Sequence, residues 1–125
     1  MSFWRRILSK QPDEIPSSGR SHRNALVIKE MRRAGADLRK WTEVRHYLYF
    51  ATREHAQEVA DKLRAEDFQL SVEPSASGDG KWLALATHFI VVNQEVIDSV
   101  TARLSGLTAA YDGGEYDGWE AAITS

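Results

Sequence analysis

From Ser21 onward the apolar residues change their spacing several times, and each change marks an element. In "HRNALVIKEMRRAGADL" the residues Leu26, Val27, Met31 and Ala34 recur at helical intervals and Gly35 follows, which predicts a helix with a glycine stop. "EVRHYLYFAT" is rich in β-branched and aromatic residues and too short for a helix, so it reads as a strand. Thr52 is placed to cap a second helix, "REHAQEVADKLRAED". Its Ala56, Val59, Ala60 and Leu63 form one stripe, with Glu54, Glu58, Asp61 and Arg64 on the other side. "FQLSVEP" alternates Phe68, Leu70 and Val72 with polar residues, "SASGDG" is turn material, and "KWLALATHFIVV" completes a hairpin over residues 68–92. Asn93 can cap a third helix, with Ile97, Val100, Leu104 and Leu107 on one face; "DGG" ends it and Glu115 to Ile123 form a last strand.

After the first helix the order is strand, helix, strand, strand, helix, strand. This predicts an α+β, ferredoxin-like βαββαβ sandwich with an additional N-terminal helix and a four-stranded antiparallel sheet, one face of it covered by two helices. "SKQPDEIPSSGRS" has the proline, glycine and serine content of a linker, so residues 1–20 are expected to be a flexible tail and residues 21–125 one domain. A chain of 125 residues, 42% hydrophobic and 27% charged, can bury one core and reads as soluble. The net charge of -2 exerts no bulk pull on nucleic acid. The absence of cysteine excludes disulfides, thiolate metal sites and cysteine nucleophiles, and fits a reducing cytoplasm. The apolar run in "MSFWRRILSK" is too short for a signal peptide or a membrane span, so no membrane association is expected.

The candidate chemistry is sparse. Gly113 and Gly114 follow a helix instead of preceding one, the wrong side for a phosphate-cradling loop. Glu115 and Asp117, two apart on a strand, share a face but have no motif-fixed His or Lys beside them, and read as solvated or turn-locking carboxylates. His46 and His88 could be sheet neighbours, yet two ligands without metal spacing are a poor site, so structural histidines are expected; His22 and His55 read as exposed helix residues. No serine sits in a nucleophile elbow. The expectation is a protein without catalytic, metal, cofactor or small-molecule sites. Tyr47 and Tyr49 share one face of the first strand; Trp82, Ala84, Ala86 and His88 share one face of the third. Two readings stay open: core packing or a protein-binding face, and a small RNA-binding module stacking bases on Tyr47, Tyr49 and Trp82. In the last strand Tyr116 and Trp119 fall on opposite faces unless a bulge at Gly118 brings them together.

Three blocks, "AGADL", "EVRHYLYFATREHAQEVADKL" and "AAYDGGEYDGWEA", resemble the regulator of ribonuclease activity B family over roughly Ser21 to Ile123. The resemblance implies a ferredoxin-like domain of the bacterial cytoplasm that binds the endoribonuclease RNase E and lowers its activity, with no catalysis of its own. Gly114, Glu115, Tyr116, Asp117, Gly118 and Trp119 match the family's closing motif. Arg45, His46, Tyr47, Tyr49 and Phe50 match its first-strand block. Apart from Gly114 and Phe50, these residues together with Trp82 are the candidate partner-binding or motif residues. The partner implied is a protein, RNase E or a similar nuclease; direct RNA binding or another protein-interaction role is the alternative.

Overall fold

The computed structural model describes residues 2–5 and 17–124. Its elements run β1 (Ser2–Arg5), α1 (Ser17–Arg33), β2 (Trp41–Phe50), α2 (Arg53–Arg64), β3 (Gln69–Pro74), β4 (Trp82–Val91), α3 (Gln94–Ala109) and β5 (Glu115–Thr124). The sheet is antiparallel, in the order β1-β5-β2-β4-β3. The four strands other than β1, in the order β5-β2-β4-β3 with α2 and α3 as crossovers, give the expected ferredoxin-like arrangement.

The reading of residues 1–20 as a tail changes at both ends. Ser2–Arg5 pairs with β5 as a fifth strand, Ser2 opposite Thr124 and Arg5 opposite Ala121, and α1 begins at Ser17 instead of Ser21. The outer edge of β5 would otherwise present unpaired backbone groups, which a short strand satisfies. The rest of the expected tail, residue 1 and residues 6–16, lies outside the described residues.

The caps follow from the residues expected to make them. The Thr52 and Asn93 side chains accept hydrogen bonds from the His55 and Val96 backbone N–H groups, at 3.2 and 2.9 Å. Helix α1 ends with Gly35 at φ +92, where the Gly35 N–H bonds the Arg32 carbonyl and the Ala36 N–H bonds the Met31 carbonyl. After α2 the same pair of bonds forms around Asp67, which takes the left-handed conformation at φ 68.

All three helices pack on one face of the sheet. Val44, Trp119, Ala121 and Ile123 meet Val27, Ile28, Met31 and Ile97 in one cluster, and Leu48, Phe50, Ala84 and Ala86 meet Ala56, Val59, Leu63 and Leu104 in another. The first helix is thus part of the core, alongside the two helices expected there. Leu26 is 52% exposed, since the buried stripe of α1 runs through Asn24, Val27, Ile28 and Met31. Among the described residues no helix is long and apolar enough to cross a membrane.

Candidate functional site

The period-two geometry of the strands divides the candidate residues between the two faces. On the helix-covered face, His46 and Trp119 are fully buried and Tyr116 nearly so. The β2–β5 register shows why Tyr116 and Trp119 share it. His46 pairs with Trp119 and Leu48 with Tyr116, so one extra residue of β5 is absorbed in a bulge where Gly118 adopts φ 106. That conformation is open to glycine and strained for other residues.

Two polar assemblies are buried there. His46 Nδ1 lies 2.8 Å from the Tyr116 hydroxyl and His46 Nε2 lies 3.0 Å from His88 Nε2, forming a chain across β5, β2 and β4. Phe68 stacks on the His88 ring with centroids 4.4 Å apart. Two tautomer arrangements satisfy both contacts: Tyr116 O–H donates to His46 Nδ1 and His46 Nε2–H to His88 Nε2, or His88 Nε2–H donates to His46 Nε2 and His46 Nδ1–H to the Tyr116 oxygen. Burial, reinforced by the neighbouring His88, holds His46 well below the usual imidazole range. Burial alone lowers His88 to about 4, and it raises the Tyr116 phenol well above its usual value. The chain is therefore neutral near pH 7, and the enclosure of His46 makes it a structural link between strands.

The second assembly ties the closing motif to α1. The Trp119 Nε1–H donates to Asn24 Oδ1 at 3.0 Å, while Asn24 Nδ2 donates to Asp98 Oδ1 and Thr101 Oγ1, each at 2.9 Å. Ser21 and Gln94 also donate to Asp98, at 2.6 and 2.9 Å. Every hydrogen-bonding atom of the fully buried Asn24 side chain is thus used, with Trp119 supplying the donor that its carbonyl needs.

Among the described residues no helix covers the opposite face. It presents Trp41, Glu43, Arg45, Tyr47 and Tyr49 from β2, paired in register with Val91, Phe89, Thr87, Leu85 and Leu83 of β4. Tyr47 donates to Glu120 Oε1 at 2.5 Å, and Arg45 reaches Glu43 and Glu120 at 3.6 and 3.9 Å. At one end Trp41 is 70% and Phe89 52% exposed; they are diagonal neighbours, because Phe89 sits opposite Glu43. At the other end lies a cleft of about 440 Å³ lined by Tyr49, Ser75, Ser77, Asp79, Lys81, Glu115 and Asp117, where Lys81 pairs with Glu115 at 3.3 Å.

The structure therefore brings Arg45, Tyr47, Tyr49, Glu115 and Asp117 to the helix-free side and places His46, Tyr116 and Trp119 in the core. Trp82 is opposite Phe50, on the helix-covered face, with Arg53 over its ring at 5.9 Å. Tyr47, Tyr49 and Trp82 consequently cannot form one stacking platform: Leu83, not Trp82, stands beside Tyr49. Trp41 and Phe89 were missed as candidates in the sequence. The alternation through "KWTEVRHYLYF" contains the signal, once the strand is started at Trp41 instead of Glu43.

His46 and His88 are direct neighbours, as the strand pattern suggested. Among the described residues no three His, Asp or Glu side chains gather in metal-binding geometry. A family model described as regulator of ribonuclease activity B matches residues 21–121. No curated protein matches the chain.

Proposed function

As the chain belongs to the regulator of ribonuclease activity B family, we propose that it binds the endoribonuclease RNase E and lowers its activity on RNA, acting by occupation and not by catalysis. The family is one of regulators, which supports a protein partner. The observation that carries the docking mode is the helix-free face. Two large aromatics are exposed side by side on it, with Tyr47, Tyr49 and Arg45 along the same strand. Trp, Tyr and Arg dominate binding energy at protein interfaces because they bury large area at low entropic cost. A bacterial cytoplasmic setting accords with this reading.

On this proposal, Trp41 and Phe89 seat in an apolar recess of the nuclease, and Arg45 with the Tyr47–Glu120 pair forms the polar surround. Purified protein should bind RNase E without RNA present and slow cleavage of a model RNA. Trp41→Ala and Phe89→Ala should each weaken that binding by roughly 2 kcal/mol, about thirtyfold, with unchanged thermal stability. Wild-type affinity in both variants would move the interface elsewhere.

A further inference from the structure

The charges of the chain are segregated in a way its net charge conceals. Of its 16 lysines and arginines, 10 fall in the first 40 positions, which hold only 4 of the 18 carboxylates. Within the described residues this cationic share is concentrated on α1 and the loop that leaves it. His22, Leu26, Lys29 and Arg33 are exposed and recur at intervals of four, three and four, so they line one side of the helix, with exposed Arg32 beside them. Val27, Ile28 and Met31 hold the other side in the core, which fixes the orientation of the stripe.

Lys29, Arg32 and Arg33 make no ion pair among the described residues. The loop adds exposed Arg39, bound to Asp37 at 3.0 Å, and exposed Lys40. The helix macrodipole accounts for cations in the last turn, where Arg32 and Arg33 stand, but its effect fades beyond that turn and does not call for Lys29 or the loop cations.

We propose that this stripe of α1 contacts the phosphate backbone of RNA. A row of exposed cations without an ion pair among the described residues is complementary to a polyanion and gains most from releasing its condensed counterions. A lipid surface fits less well. Leu26 is the exposed large apolar residue of α1, and a single leucine leaves no apolar face to insert. RNA, as opposed to another polyanion, rests on the reading of the chain as a partner of RNase E: a protein docked on a working ribonuclease lies beside its substrate. Nuclease contact through the sheet and RNA contact through α1 would then use separate surfaces, so the regulator could hold RNA away from the catalytic site.

The test is fluorescence anisotropy with a labelled single-stranded RNA of about 20 nucleotides, at several salt concentrations and without nuclease. The full chain should bind at low salt. The triple variant Lys29→Gln, Arg32→Gln, Arg33→Gln should lose about tenfold or more in affinity, with a salt slope shallower by about 2. All three positions are exposed, and circular dichroism would establish that the variant is folded. No RNA binding by the wild type at ~50 mM salt, or unchanged affinity and slope in the variant, would overturn the proposal. Equal or tighter binding to polyglutamate or to vesicles containing phosphatidylglycerol would also overturn it. Binding of RNase E without RNA should be retained by the triple variant and weakened about thirtyfold by Trp41→Ala. If Trp41→Ala bound the nuclease at wild-type affinity while the triple variant lost RNA, the sheet-docking reading alone would fail.

Discussion

Trp119 shows how one side chain can carry a motif without touching a partner. Its ring is fully buried and its indole N–H is the donor that the Asn24 carbonyl receives. Replacing it by alanine removes both, and about 3 to 5 kcal/mol of stability should go with it, a large part of what a small domain has. Trp119→Phe separates the two contributions, because most of the apolar volume stays while Asn24 Oδ1 loses its donor. A loss of about 1 to 3 kcal/mol is expected in chemical denaturation. A Phe variant as stable as the wild type would show that the hydrogen bond contributes nothing net. Tyr116→Phe poses the same question for the His46 chain, whose Nδ1 would be left unpaired.

At the scale of elements, the turn before β5 depends on close approach. A Cβ on Gly114 would lie 2.1 Å from the Thr108 carbonyl oxygen, far inside contact distance, and that oxygen belongs to helical backbone that cannot rotate aside. Gly114→Ala should therefore lower the melting temperature by several degrees or more, through displacement of the α3–β5 turn. An unchanged melting curve would show that the turn relaxes freely. The glycine, the caps at Thr52 and Asn93 and the alternation in β2 to β4 were all legible in the sequence, because each is a local rule acting over a few residues. The strand Ser2–Arg5 was not, since its pairing with β5 spans nearly the whole chain and its four residues carry no periodicity of their own. Trp82 was misassigned to the tyrosine platform for a related reason: alternation tells which residues share a face within one strand, and only the pairing register relates that face to the next strand. The same register exposed Trp41 and Phe89 as neighbours.

For the molecule as a whole, the buried histidines couple stability to pH. His46, on the central strand β2, joins Tyr116 of β5 to His88 of β4, so global unfolding releases the chain and lets both imidazoles titrate normally. In the folded state His88 titrates near 4 and His46 is also held well below its usual range, whereas in the unfolded chain both titrate near the ordinary value of about 6.5. Between those limits the unfolded state binds more protons than the folded one, so stability is fully present above about pH 6.5 and falls as the solution is acidified. Each imidazole that is protonated in the unfolded but not in the folded state adds a slope of at most about 1.4 kcal/mol per pH unit, and the partial exposure of His88 narrows the window over which it does so. Denaturation midpoints measured from pH 7.5 down to pH 4.5 should decline steadily over a window in which most carboxylates stay ionised. His88→Gln keeps a polar partner near His46 and removes one titrating group, so it should flatten the decline even if it lowers the plateau. A His88→Gln profile parallel to the wild type would assign the acid sensitivity to other groups.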